Sequence, residues 1–312
     1  MEGLVTLGYP VLDVGGSHVT AARVDPARWQ PVPHSRYRRP LRSDGTAHEI
    51  LATITECART LGPLEGKILA VAMPGPFDYE AGIGRFTGVD KFDALNCVDV
   101  RSQLFDALDG PPSSIVFLND AAAFGIGEWV SGAAGRQDKG HDRLVAITLG
   151  TGVGSAFVDA GRPVSRGPQV PPDGYVHLLR VKGQLLEDVM STRAIIASYL
   201  ARVGTAELRA DVDVRRIANR ATAGDVAAVR AFADASRALG TALAPWLASF
   251  EADALVVGGG IARAWPLVGP ALRKAIREAE TRLDRITIAP SRDPEASTEI
   301  GAAWFAHHRG RE

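Results

Sequence analysis

The sequence predicts an α/β protein built as two domains, each a sheet covered by helices. Three observations predict it. A strand–turn–strand unit occurs twice, apolar strands alternate with helical periodicity, and 46% apolar residues over 312 positions suffice for two cores. The first copy of the unit runs from Val11 to Asp25 and turns at Gly15-Gly16-Ser17; the second runs from Leu144 to Asp159 and turns at Gly150-Thr151-Gly152. Gly15 and Gly150 lie 135 residues apart, and the Val-Asp pairs that end each copy lie 134 apart. Duplication explains that spacing economically. Glycine in both turns suggests backbone angles that other residues resist.

A third glycine segment, Gly258-Gly259-Gly260, follows the apolar strand Ala254–Val257 and precedes a helical stretch from Trp265 to Leu283. Further three-to-four periodicity marks 47–61, 98–108, 121–130, 185–203 and 225–250 as helices. Pro111-Pro112 breaks the chain before the strand Ile115–Leu118. The expected division is a smaller domain over 1–118 and a larger one over 119–297, with a final helix in 298–312 free to return to the first.

Charge and cysteine content narrow the class. A formal net charge of -1 offers no electrostatic footprint for nucleic acid or anionic lipid. The basic run Arg36–Arg42 is a solvated linker, or else faces a phosphate. No segment has the length and apolarity of a signal peptide or membrane span. Two cysteines, Cys57 and Cys97, without metal-ligand spacing suit a reducing compartment, so a cytoplasmic protein is expected.

The chemistry lies at the strand ends. One glycine turn is explained by a hairpin alone, but two with a Gly-Gly-Gly point to phosphate. Glycine lets backbone N–H groups approach phosphate oxygens, and the Ser17 and Thr151 hydroxyls add donors. Neither turn is a P-loop, because no Gly-Lys-Ser/Thr follows; neither is a dinucleotide fingerprint, because a strand follows Gly16. Two hairpin turns holding a nucleotide between two halves is the arrangement of actin-like ATPases, whose fold is ribonuclease H-like. Asp13 lies in a buried-type strand, where a lone carboxylate is costly; association with Mg²⁺ or a structural hydrogen bond would each account for it. Ile115–Leu118 delivers Asn119-Asp120 at its carboxyl end, where open α/β sheets bind ligands. A carboxylate there can take the proton of an alcohol during phosphoryl transfer, or can cap the following helix.

Five motifs then occur in order: Asp13-Val14-Gly15-Gly16-Ser17, Met73-Pro74-Gly75-Pro76, Asn119-Asp120-Ala121-Ala122-Ala123, Thr148 through Gly154, and Gly258-Gly259-Gly260. In order and spacing they resemble the ROK family, in particular its glucokinase-like members of an actinobacterial type lacking the zinc loop. The resemblance spans nearly the whole chain. It implies an actin-like two-domain ATPase around a sugar, with ATP and Mg²⁺, Asp120 as base, and Asn119 and Gly75 at the sugar. It also implies that Gly15, Gly16, Ser17, Gly150, Thr151, Gly152 and Gly154 hold phosphates and that Gly258, Gly259 and Gly260 line the adenosine side.

The sequence departs from that family between Asp173 and Glu187. His177 and Glu187 are retained as sugar ligands, but Gly174 stands where family kinases have glutamate, and the zinc-loop cysteines are missing. Zinc needs about four N or S ligands, so no zinc is expected. His177 could equally be a structural histidine, and Glu187 could be a residue on a solvated helix face. The segment Gly88–Leu95 is also unusual, with Asp90 or Lys91 as candidate substrate contacts. The acceptor is therefore expected to be a hexose or hexose-like polyol, with an amino sugar or cyclitol in contention. A catalytically silent sugar-binding or sensor protein is the alternative. A regulator reading is disfavoured, because the first phosphate turn starts about a dozen residues from Met1, short of a helix-turn-helix domain. Oligomeric state stays open, a homodimer among the options.

Overall fold

The computed structural model describes residues 8–89, 91–132, 143–204 and 212–309. The chain divides into two compact units, Met1–Ser131 with Glu295–Glu312, and Gly132–Pro294. Each has its own core, centred on residues such as Leu12, Ile54, Val71 and Phe117 in the first and Ile147, Phe232, Leu243 and Val257 in the second.

In the first unit, β1 (Tyr9–Val14) and β2 (His18–Asp25) form an antiparallel hairpin. The short β3 (Gln30–Pro31) and β4 (Tyr37–Pro40) both pair with β2. Helix α1 (Ala47–Arg59), opened by a capping box of Thr46 and Glu49, leads to β5 (Ile68–Met73), parallel to β1. A small hairpin of β6 (Phe77–Asp78) and β7 (Ile83–Gly84) and helix α2 (Val100–Ala107) precede β8 (Ser114–Asn119), parallel to β5. Helix α3 (Asp120–Val130) follows at once. The sheet order is β3-β2-β1-β5-β8.

The second unit repeats this strand order, without a counterpart of β4. β9 (Arg143–Leu149) and β10 (Val153–Asp159) form the hairpin, and β11 (Arg162–Val164) extends it. After a two-residue-strand hairpin, β12 (Arg180–Val181) and β13 (Gln184–Leu185), come α4 (Thr192–Val203), α5 (Val214–Thr222) and α6 (Val226–Ser249). Then β14 (Ala254–Gly258), parallel to β9, α7 (Trp265–Ala279) and β15 (Thr287–Pro290) complete the order β11-β10-β9-β14-β15. All five residues of β14 are buried, as expected of a parallel strand covered on both faces.

Helix α8 (Pro294–Arg309) belongs with the first unit. Trp304 packs on Trp29 at 4.7 Å and Trp129 at 5.6 Å between ring centroids, and Tyr9 hydrogen-bonds His307 across 2.6 Å. Against α3 the approach is closer still. A Cβ on Gly301 would overlap the carbonyl oxygen of Ala123, and one on Gly127 that of Ser297. Ser297 also donates to the buried Glu128 at 2.7 Å. These contacts explain why the structural division falls after Ser131 and not at residue 118: α3 is clamped to α8 and stays with the sheet it leaves.

Two other local expectations change. The helix expected over 185–203 begins only at Thr192, capped by Ser191, because Leu185 joins β13 and Leu186–Asp188 form a single 3₁₀ turn. Glu187 therefore sits on that turn, not on a helix face. None of Gly15, Gly16, Gly150 and Gly152 has a positive φ, so backbone angle is not what selects glycine there. No helix among the described residues is long and apolar enough to cross a membrane.

Candidate active site

In the first unit the parallel register sets the site. Asp13 of β1 lies opposite Ala72 of β5, and Met73 lies opposite Asn119 of β8, so Asp13, Gly75 and Asn119-Asp120 share one end of the sheet. Asn119 is the N-cap of α3. Its Oδ1 accepts from the backbone N–H groups of Ala121 at 3.0 Å and Ala122 at 3.2 Å, and its Nδ2 donates to the Tyr79 hydroxyl at 3.0 Å. The Asn119 side chain also favours the ionised form of Asp120. The capping task falls to Asn119, so Asp120 occupies the first turn, its Oδ1 accepting from the Ala121 N–H at 2.8 Å.

Burial pushes the Asp120 carboxyl above its ordinary value, opposed by the Ala121 N–H and by the charge of Lys91. Asp13 is pushed up to about 7, first by burial and then by the carboxylates of Asp120, Glu299 and Glu295, with Arg38 opposing. Glu299 is itself gripped by Arg36 through two bonds of 2.7 and 2.9 Å. Asp13 is the candidate ligand of a hard divalent cation, which would offset the cost of its buried charge. Glu295 and Glu299 were missed in the sequence; their four-residue spacing, which sets them on one face of the final helix, is the signal that could have found them.

A stability measurement follows from Asp13. Its folded value near 7 exceeds the ordinary 3.8, so its contribution is complete below pH 4 and is lost as pH rises through 7. Asp13→Asn stays neutral at every pH. The variant is expected to match the native protein near pH 4 and to melt about 2–4 °C higher at pH 8. Equal melting temperatures at pH 8 would refute the burial cost.

The first glycine turn closes by a 2.9 Å bond from the Gly15 N–H to the His18 carbonyl, and the Ser17 hydroxyl lies 3.0 Å from His18 Nδ1. The side chain of Lys91 passes over Gly16, its Nζ 3.6 Å from where a Cβ would stand. Asp90 lies outside the described residues.

In the second unit, the ends of three strands converge. Thr148 of β9 lies opposite Gly154 of β10 on one side and Gly258 of β14 on the other. The carbonyl of Gly150 accepts from both the backbone N–H and the hydroxyl of Thr192, each at 2.9 Å, which fixes the turn that exposes Thr151. Gly259 adopts φ 87° and lies so close to the Leu149 backbone that any side chain would collide, whereas Gly260 faces open space. Glu187 accepts from the Val153 N–H at 3.1 Å and crowds Gly152, so it is tied to this turn. It also bears on His177: burial lowers the imidazole's proton affinity, and the Glu187 charge opposes. His177 sits in a 3₁₀ turn held by Ser155, whose hydroxyl donates to the Gly174 carbonyl at 2.6 Å and accepts from the Val176 N–H at 3.1 Å. Gly174 itself has φ 72°, a conformation in which the family glutamate would be strained. No cluster of three or more metal-ligating side chains occurs among the described residues.

Residues 9–309 match the sequence pattern of the ROK family. The chain belongs to the ROK family. It is 30% identical over 233 residues to a glucokinase of Thermotoga maritima, covering 68% of this chain and 69% of that one. Among solved structures, the ROK family glucokinase of Streptomyces griseus, in complex with glucose and AMPPNP, aligns with TM-score 0.76 and 22% identity over 96% of this chain and 99% of the other. The ROK hexokinase of Thermus thermophilus aligns with TM-score 0.75 and 23% identity over 98% and 99%. At such identities these two establish the fold, the actin-like, ribonuclease H-like ATPase fold. Within the ROK family the chain is a sugar kinase, a phosphotransferase with an alcohol group as acceptor.

Proposed function

We propose that this ROK protein transfers the γ-phosphoryl group of ATP to a hydroxyl of a hexose or hexose-like polyol, with Asp120 as general base. The observation that carries the reading is the placement of Asp120, at the carboxyl end of a parallel strand, beside a cap supplied by its neighbour Asn119. Because Asn119 closes the helix, the Asp120 carboxylate is available to the acceptor proton. In the first unit Asn119 and the loop at Gly75 are the sugar-binding candidates, and Gly15, Gly16 and Ser17 the phosphate-binding ones. In the second unit His177 and Glu187 are the sugar-binding candidates, Gly150, Thr151, Gly152 and Gly154 the phosphate-binding ones, and Gly258–Gly260 are assigned to the adenosine side. Bound Mg²⁺, held at Asp13, would draw charge from the phosphate oxygens that the transfer loads. Two free thiols, Cys57 buried and Cys97 exposed, favour a cytoplasmic setting.

The acceptor differs from plain glucose in this reading. Gly174 removes a charge-assisted bond to ring hydroxyls, and such bonds discriminate strongly among polyols. The same residue favours the alternative, a silent sugar-binding or sensor protein. ADP release from ATP and Mg²⁺ over a panel of hexoses, amino sugars and cyclitols separates the two. Turnover is expected on at least one member, with an amino sugar or cyclitol ahead of glucose; none on any member would leave the silent binder.

A further inference from the structure

Lys91, one of the two candidate substrate contacts in the segment 88–95, leaves the chain at a fixed point. Its neighbour Phe92 is fully buried, adopts φ 57°, packs on Phe86 at 5.4 Å between ring centroids, and donates its N–H to the Ser43 carbonyl at 2.8 Å. That anchor fixes where the lysine leaves the chain. The side chain is itself exposed, yet it runs along Gly16, with Cδ, Cε and Nζ 3.4, 3.5 and 3.6 Å from a Cβ placed there. The ammonium group also acts on Asp120, whose ionised form it favours. One cation thus borders the first glycine turn and bears on the residue proposed as base.

Resting on the kinase reading above, we infer that Lys91 is a catalytic residue that binds the γ-phosphoryl group of ATP over the Gly15-Gly16 turn and stabilises it during transfer. As the acceptor oxygen bonds to the γ-phosphorus, its proton passes to Asp120. The bond from that phosphorus to the β–γ bridging oxygen breaks, and its electron pair leaves on ADP. Negative charge shifts across the equatorial oxygens and the leaving group, and a lysine over the turn is placed to meet it. The same charge favours the ionised form of Asp120 against its burial, so one side chain supports both ends of the transfer.

Lys91→Met and Lys91→Arg test this through two readouts. With the best acceptor of the panel, Lys91→Met is expected to lower kcat by about 10²–10³-fold, to leave the acceptor KM within about threefold, and Lys91→Arg to recover part of kcat. Titration calorimetry with ATP and with ADP reads the γ-phosphoryl contact without turnover: the Met variant should bind ATP roughly tenfold more weakly and ADP as the native protein does. A loss shared by ATP and ADP, or a rise in acceptor KM at unchanged kcat, would overturn the assignment. Native protein that binds ATP but turns over no acceptor sinks the kinase reading and with it the role in transfer, while the ATP-against-ADP comparison still decides the γ-phosphoryl contact of Lys91. Native protein that binds neither nucleotide sinks both.

Discussion

Asp120→Asn is expected to lower kcat by about 10²–10⁴-fold while the protein remains folded and binds both substrates. The amide is nearly isosteric, and its oxygen can still accept from the Ala121 N–H that Asp120 Oδ1 engages at 2.8 Å. The cap of α3 is untouched, because it belongs to Asn119. What is lost is the capacity to take a proton. The native enzyme should also lose kcat/KM as pH falls, because only the ionised carboxylate is a base. That loss begins at a higher pH than for an ordinary aspartate, since burial raises Asp120 against the opposing charge of Lys91. Steady-state kinetics of variant and native protein across pH check both points. Phosphorylation undiminished by the substitution would refute the base assignment, and an effect confined to KM would make Asp120 a binding group.

Gly301→Ala is expected to destabilise the first unit by roughly 3 kcal/mol, a fall in melting temperature of roughly 6–12 °C. The added methyl would occupy the space of the Ala123 carbonyl oxygen, which is backbone and cannot rotate away. Helices α3 and α8 would have to separate, loosening the bond from Ser297 to the buried Glu128 and the seat of Asp120 at the head of α3. Turnover should therefore fall below the melting transition as well. Gly260→Ala serves as the comparison, because a Cβ there meets open space; its melting temperature should stay within about 1 °C. Thermal melts of the two variants suffice, and an unchanged value for Gly301→Ala would show that the helices can yield.

Much of this organisation was legible in the chain. The 135-residue spacing of Gly15 and Gly150 anticipated two sheets of one strand order, and the apolar run before Asn119 anticipated a strand that delivers Asn119-Asp120 at its end. Periodicity placed most helices, but overran at 185–203, where Leu185 is half-buried in a hairpin and Leu186 is buried in a turn. Glycine at 15, 16, 150 and 152 was read as a demand for unusual angles. The structure instead shows glycine at 152 making room for Glu187, a reason no single turn contains, whereas a Cβ at 16 would meet Lys91 only in ordinary contact.

The sequence by itself determined the repeated strand–turn–strand units, the strand that carries Asp120 and the missing glutamate at 174, because each is written in contiguous residues or fixed spacing. Only the tertiary structure decided that α3 stays with the first unit and that Glu295 and Glu299 crowd Asp13. It alone set Ser155 to hold the turn of His177 and laid Lys91 along Gly16. These are contacts between residues tens to hundreds of positions apart. Packing of whole elements settles them, and local propensity does not encode it.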